Sequence, residues 1–80
     1  MTLKEAITQR ILDICKQKDI SVNKMADICG ITQSTLNNIV NTGSENPQIS
    51  TIKKICDGME MRLEDFFADE VFRTLEQEIK

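Results

Sequence analysis

The sequence predicts an all-α domain of five short helices, followed by a sixth at the C-terminus. Three observations carry this. Apolar residues recur at three- and four-residue spacing along most of the chain, as in amphipathic helices packed on one core. Gly, Pro, Ser, Thr and Asp fall between these runs, where helices start and stop. Eighty residues allow one small domain and no more.

In chain order, Thr2-Leu3-Lys4-Glu5 has the form of a capping box. Leu3, Ile7, Ile11, Ile14 and Cys15 then give a first helix an apolar face that runs to about Lys18. Asp19-Ile20 links it to Ser21, whose hydroxyl suits an N-cap. Val22, Met25, Ala26 and Cys29 line a second helix over 22–29, and Gly30 ends it, because glycine adopts the left-handed conformation at little cost. Ile31 lies in the turn, placed to dive between two helices, and Thr32 caps a third helix over 33–41 with Leu36, Ile39 and Val40 as its stripe. Residues 42–47 form a loop marked by Gly43 and Pro47. Ile49 and Ser50 read as a hydrophobe and N-cap ahead of a fourth helix lined by Ile52, Ile55, Cys56 and Met59, with Gly58 weakening its end. Met61 packs in the connection, and Leu63, Phe66 and Phe67 mark a short fifth helix. In the tail, residues 69–80, Val71, Phe72, Leu75 and Ile79 recur at helical spacing and predict the sixth.

The outward face of the third helix is unusual. Ser34, Asn37, Asn38 and Asn41 share one side, flanked by Gln33, so the face carries amides and hydroxyls and no charge. A solvated helix face is more often rich in Lys and Glu, and Asn is a mediocre helix former. Asn and Gln offer a donor and an acceptor together, which suits base edges in the major groove.

Ser21, Ala26, Gly30-Ile31-Thr32 and Pro47, followed by Ile52, Ile55, Met59, Met61 and Leu63, stand in an order and spacing that resemble the Cro/XRE-like helix-turn-helix family, the phage-repressor type. The likeness runs from about Ile11 to Phe67. It implies a lambda-repressor-like, five-helix DNA-binding domain over residues 1–68, with 69–80 as an acidic amphipathic tail. By the same resemblance, base contacts fall to Gln33, Ser34, Thr35, Asn37 and Asn38. The start of the second helix, with Ser21, Val22 and Asn23, is placed to hold a phosphate on free backbone amides, and Asn41 and Thr42, with Ser44, to hold another. Two departures stand out. Arg62 occupies a cap position that is commonly Ser or Thr in the family. Cys15 and Val40 replace an Arg and a Glu that pair inside many relatives. Exchanging both partners of a buried ion pair for hydrophobes can be neutral, so Cys15 and Val40 are expected to be buried and close.

The net charge of −3 argues against strong nonspecific DNA binding by the chain as a whole. It is unevenly spread: residues 1–59 hold seven basic and six acidic side chains, residues 60–80 three and seven. Three cysteines without a CxxC spacing, in a chain without histidine, argue against a zinc site or disulfide framework and read as small buried hydrophobes. Lack of histidine also removes Ser-His and Cys-His pairs, so no enzyme is expected, nor any cofactor, metal or small-molecule ligand. No apolar run approaches membrane-spanning length and no leader pattern opens the chain, so a cytoplasmic protein is expected.

The expected function is sequence-specific binding of double-stranded DNA by a bacterial or phage transcription regulator, with repression as its mode. Two rivals are a protein-interaction module such as an antitoxin, and a helix-turn-helix fold that has lost DNA binding. One short recognition helix covers few base pairs, so a weak homodimer is expected, with the stripe Phe72, Leu75 and Ile79 either forming its seam or packing under the chain's own core.

Overall fold

The computed structural model describes residues 1–42 and 46–79. Among the described residues five α-helices form around one core: α1 (Leu3–Lys18), α2 (Val22–Cys29), α3 (Gln33–Asn37), α4 (Ile49–Gly58) and α5 (Leu63–Phe67). No strand occurs among the described residues, and no helix is long and apolar enough to cross a membrane.

The helix starts follow from local hydrogen bonding. Thr2 Oγ1 accepts from the Glu5 N–H (3.2 Å) and Glu5 Oε1 accepts from the Thr2 N–H (2.8 Å), so the capping box opens α1 as expected. The Thr2 N–H, followed by the Thr2 hydroxyl, holds the Glu5 carboxyl below its usual range. Ser21 and Thr32 cap α2 and α3 by accepting from the Lys24 and Thr35 N–H groups. Gly30 takes φ 69°, closes α2 and lets Ile31 turn into the core.

Later starts differ. Ser50 does not cap α4: Ile49 is already helical and 61% exposed, Gln48 holds the cap position without a side-chain bond, and the Ser50 hydroxyl meets the Gln48 amide instead. α5 begins after Arg62. A guanidinium has no acceptor, so only half a capping box forms there, from the Arg62 N–H to Asp65 Oδ2 (3.3 Å).

Periodicity predicts one α-helix over 33–41. The third helix is α-helical only to Asn37 and continues as a π-helix over Asn38–Thr42. The Thr8 hydroxyl of α1 donates to the Ile39 carbonyl at 3.1 Å, giving a side-chain partner to a carbonyl in the widened turn. Leu36 and Ile39 stay buried and Val40 half-buried along this change of pitch.

The core joins Ile7, Ile11, Ile14 and Cys15 of α1 to Met25, Ala26 and Cys29 of α2, and to Leu36, Ile39, Ile52, Ile55, Cys56, Met59 and Phe66. Each large apolar side chain buried here stabilises the fold by about 1.5–3 kcal/mol. Cys15 Sγ lies 3.8 Å from Met25 Sδ, and Val40 packs at the edge of the same core. All three cysteines are free and buried, and burial pushes their thiols up. Leu3 departs from the expected stripe and is 38% exposed. Gly58 does more than weaken a helix end: a Cβ there would overlap Cys29 Sγ and lie 3.1 Å from Cys29 Cα, so the missing side chain sets how closely α4 approaches α2.

The tail corrects the prediction of a sixth α-helix. Glu70–Phe72 make a single 3-10 turn, capped by Asp69, and residues 73–79 form no helix. Phe72 stacks on Phe66 and Phe67, with ring centroids 6.0 and 5.1 Å away, and the Glu76 N–H donates to the Met1 carbonyl at 3.1 Å. A helix this short does not hold itself together in water, and these tertiary contacts dictate another path. Leu75 is half-buried, while Ile79 is 88% exposed.

Candidate nucleic-acid interface

α2 and α3 are joined by the Gly30-Ile31-Thr32 turn, and burial of Met25, Ala26, Cys29, Ile31 and Leu36 fixes which face of each looks outward. Gln33, Ser34, Thr35 and Asn38 are exposed on α3 and its extension, and Asn37 is half-buried between the helices. The expected base-contact residues thus share one polar surface, but they are not equivalent within it. Thr35 receives the Thr32 hydroxyl at 2.7 Å and belongs to the cap. Ser34 has no side-chain hydrogen bond among the described residues.

Three amides form a directed chain across the helix pair. Asn41 Nδ2 donates to Asn37 Oδ1 (3.2 Å), and Asn37 Nδ2 donates to Asn23 Oδ1 (2.7 Å) and to the Gln33 carbonyl (2.8 Å). Gln33 Nε2 also donates to Asp27 Oδ1 of α2 at 3.2 Å. Sequence reasoning missed these pairings. No local pattern marks which residues of α2, Asn23 and Asp27 among them, face α3.

The expected phosphate contacts separate into two places. At the start of α2, the Ser21 hydroxyl is taken by the Lys24 N–H (3.0 Å), whereas the Val22 and Asn23 N–H groups have no acceptor within their own helix. Exposed Lys24 stands beside them. At the far end of the third helix, Asn41 is exposed. Thr42 ends the π-helix, and its side chain, like Ser44, lies outside the described residues. An open groove lined by Asn38, Ile39, Pro47, Gln48 and Thr51 runs between this end and the start of α4.

Beneath the surface lies a feature that no local pattern marks. Arg10 of α1 is buried, and its guanidinium serves both α5 and the tail. Among the described residues, no group of histidine, cysteine or carboxylate side chains is arranged to hold a metal ion.

Comparison with known proteins fits this geometry. Residues 10–70 match the Cro/C1-type HTH DNA-binding domain. Over 63 residues the chain is 29% identical to the SPbeta prophage-derived uncharacterized HTH-type transcriptional regulator YopS of Bacillus subtilis (strain 168), covering 79% of this chain and 85% of that protein. The crystal structure of prophage Lp1 protein 11 superposes with a TM-score of 0.80 at 27% identity, over 94% of this chain and 99% of that one. An HTH_3 family transcriptional regulator from Vibrio cholerae superposes with a TM-score of 0.75 at 28% identity. The match spans 85% of this chain but only 38% of that regulator, so the present chain corresponds to a part of it. The match over residues 10–70 and the helix-turn-helix geometry together make this chain a member of the Cro/C1-type helix-turn-helix DNA-binding family.

Proposed function

We infer that the chain binds duplex DNA sequence-specifically and regulates transcription, acting as a repressor by occupying an operator. The observation that carries this reading is the uncharged face of α3, where Gln33, Ser34 and Asn38 stand exposed beside the turn from α2. Such side chains discriminate base edges without the desolvation cost of a full charge. The α3 face enters the major groove. The Val22 and Asn23 amides with Ser21 at one end, and Asn41 and Thr42 at the other, meet the backbone phosphates. The start of the acidic tail is held against α1 and α5, through Asp69 on Arg10 and Phe72 on Phe67. The chemistry is binding, not catalysis, and the place of work is the cytoplasm, where the DNA is. Two copies on adjacent half-sites give a readout long enough for an operator.

Selection of bound fragments from random duplex DNA at fixed salt tests this reading. The expected result is one enriched motif, bound with an affinity that falls steeply as salt rises, through counterion release. No enrichment and no salt dependence would sink the reading and leave a protein-interaction module.

A further inference from the structure

We propose that Asn37 is a positioning residue of the DNA-binding surface and not one of its readers, an inference that rests on the DNA-binding reading above. The Gln33 carbonyl can only accept, so the Asn37 atom 2.8 Å from it is the amide nitrogen. The same nitrogen lies 2.7 Å from Asn23 Oδ1. An amide nitrogen carries two N–H bonds, and both are therefore used inside the protein. The Asn37 carbonyl in turn accepts from Asn41. Bidentate reading of an adenine needs one N–H and one C=O offered together. Asn37 has no N–H left to offer, and freeing one would strip a partner from the Gln33 carbonyl or from Asn23. Gln33 differs: Asp27 takes one of its N–H bonds, leaving the other beside its carbonyl.

The bridge has two consequences. It clamps α3 to α2 at their outer edge, fixing the rotation of the recognition helix about its axis and so the aim of Gln33 and Ser34. It also fixes the Asn23 amide with its carbonyl toward Asn37, leaving the Asn23 NH2 as a donor next to the Val22 and Asn23 backbone amides, a donor set matched to a phosphate oxygen.

The test compares the full-length parent, N37A, the milder N37S, N23A, the double variant N23A/N37A, and Q33A as a reader control. Each is put through selection from random duplex DNA at one salt concentration and through thermal unfolding without DNA. N37A and N37S should enrich the same motif as the parent and bind every sequence about 2- to 10-fold more weakly, the range of one lost hydrogen bond. Q33A should lose preference at one base pair. The losses of N23A and N37A should be non-additive in both DNA affinity and unfolding, because each breaks the same bridge. If N37A or N37S relaxes a single base pair and leaves the others, Asn37 is a reader and the proposal fails. Additive unfolding losses would also overturn it, because the bridge would then carry nothing. If the parent enriches no motif, the DNA-binding reading falls, and the unfolding cycle still decides whether Asn37 clamps the helices.

Discussion

The Arg10 guanidinium lies 3.3 Å from the Asp69 carboxylate, joining the first helix to the start of the tail from a position that is 8% exposed. Its other N–H groups reach the Phe66 carbonyl from Nε (2.9 Å) and the Asp65 carbonyl from Nη2 (3.0 Å), and its Cζ sits 5.7 Å from the Phe66 ring centroid. One side chain thus reaches two of the last three carbonyls of a five-residue helix, and the planar fork makes this possible.

Substitution of Arg10 should therefore cost more than a surface ion pair does. R10A is expected to lose about 2–3 kcal/mol in urea unfolding, since it takes the side-chain donor from the Phe66 carbonyl, one of two donors from the Asp65 carbonyl, and the cation from Asp69. R10K should recover little, because an ammonium cannot reproduce the fork. D69N should cost about 1 kcal/mol or less, as that carboxylate is a third exposed. Equal losses for R10A and D69N would mean that the ion pair, not the carbonyls, matters.

Gly58 yields a second expectation. An alanine there forces its methyl into Cys29 Sγ and crowds the α2 backbone. Overpacking of this kind costs about 1–3 kcal/mol, even though alanine is the better helix former. The measurement is the unfolding midpoint of G58A against the parent. A rise would show that α4 can back away from α2 freely.

Glu60 runs the other way. It holds φ 56° just past α4, where the Met61 N–H closes back onto the Cys56 carbonyl at 2.9 Å. A side chain in the left-handed region costs roughly 1–2 kcal/mol, partly offset for glycine by the entropy it loses on folding. E60G should stabilise the protein by about 0.5–1 kcal/mol and raise Tm by a few degrees. A lower Tm would place the strain elsewhere.

What the sequence discloses and what it hides follow from the range of the interactions. Thr2, Ser21, Gly30 and Thr32 act through hydrogen bonds within four residues, and the ends of α1, α2 and the start of α3 are legible from them. The outward position of Gln33, Ser34 and Asn38 follows equally from periodicity. Arg10 is not legible, because a charged residue on a helix ordinarily faces water and its partners lie 55 to 59 positions away. Asn37 reads as outward by spacing alone, and only the crossing of α2 and α3 reveals Asn23 beside it. The π-helical turn after Asn37 has no compositional mark at all. The tail shows the same limit: Phe72, Leu75 and Ile79 have helical spacing, yet long-range contacts choose another conformation.

That conformation bears on assembly. A tail-mediated dimer would need the apolar stripe of the tail to face a second copy. Phe72 is already spent against Phe66 and Phe67 of its own chain, Leu75 is half-buried, and only Ile79 stands clear. One exposed isoleucine cannot supply an interface of ordinary size. The full chain should therefore sediment as a monomer across the micromolar range without DNA, and any pairing on half-sites should use another surface. F72A should lower the unfolding free energy by about 1–2 kcal/mol, the scale of one partly buried aromatic, and leave the sedimentation coefficient unchanged. A chain ending at Asp69 should lose at least as much, because it uncovers the same rings and removes the Glu76–Met1 contact as well. The opposite pattern decides against this arrangement: a parent that dimerises with concentration and an F72A variant that stays monomeric at unchanged stability would make the tail a seam between two copies.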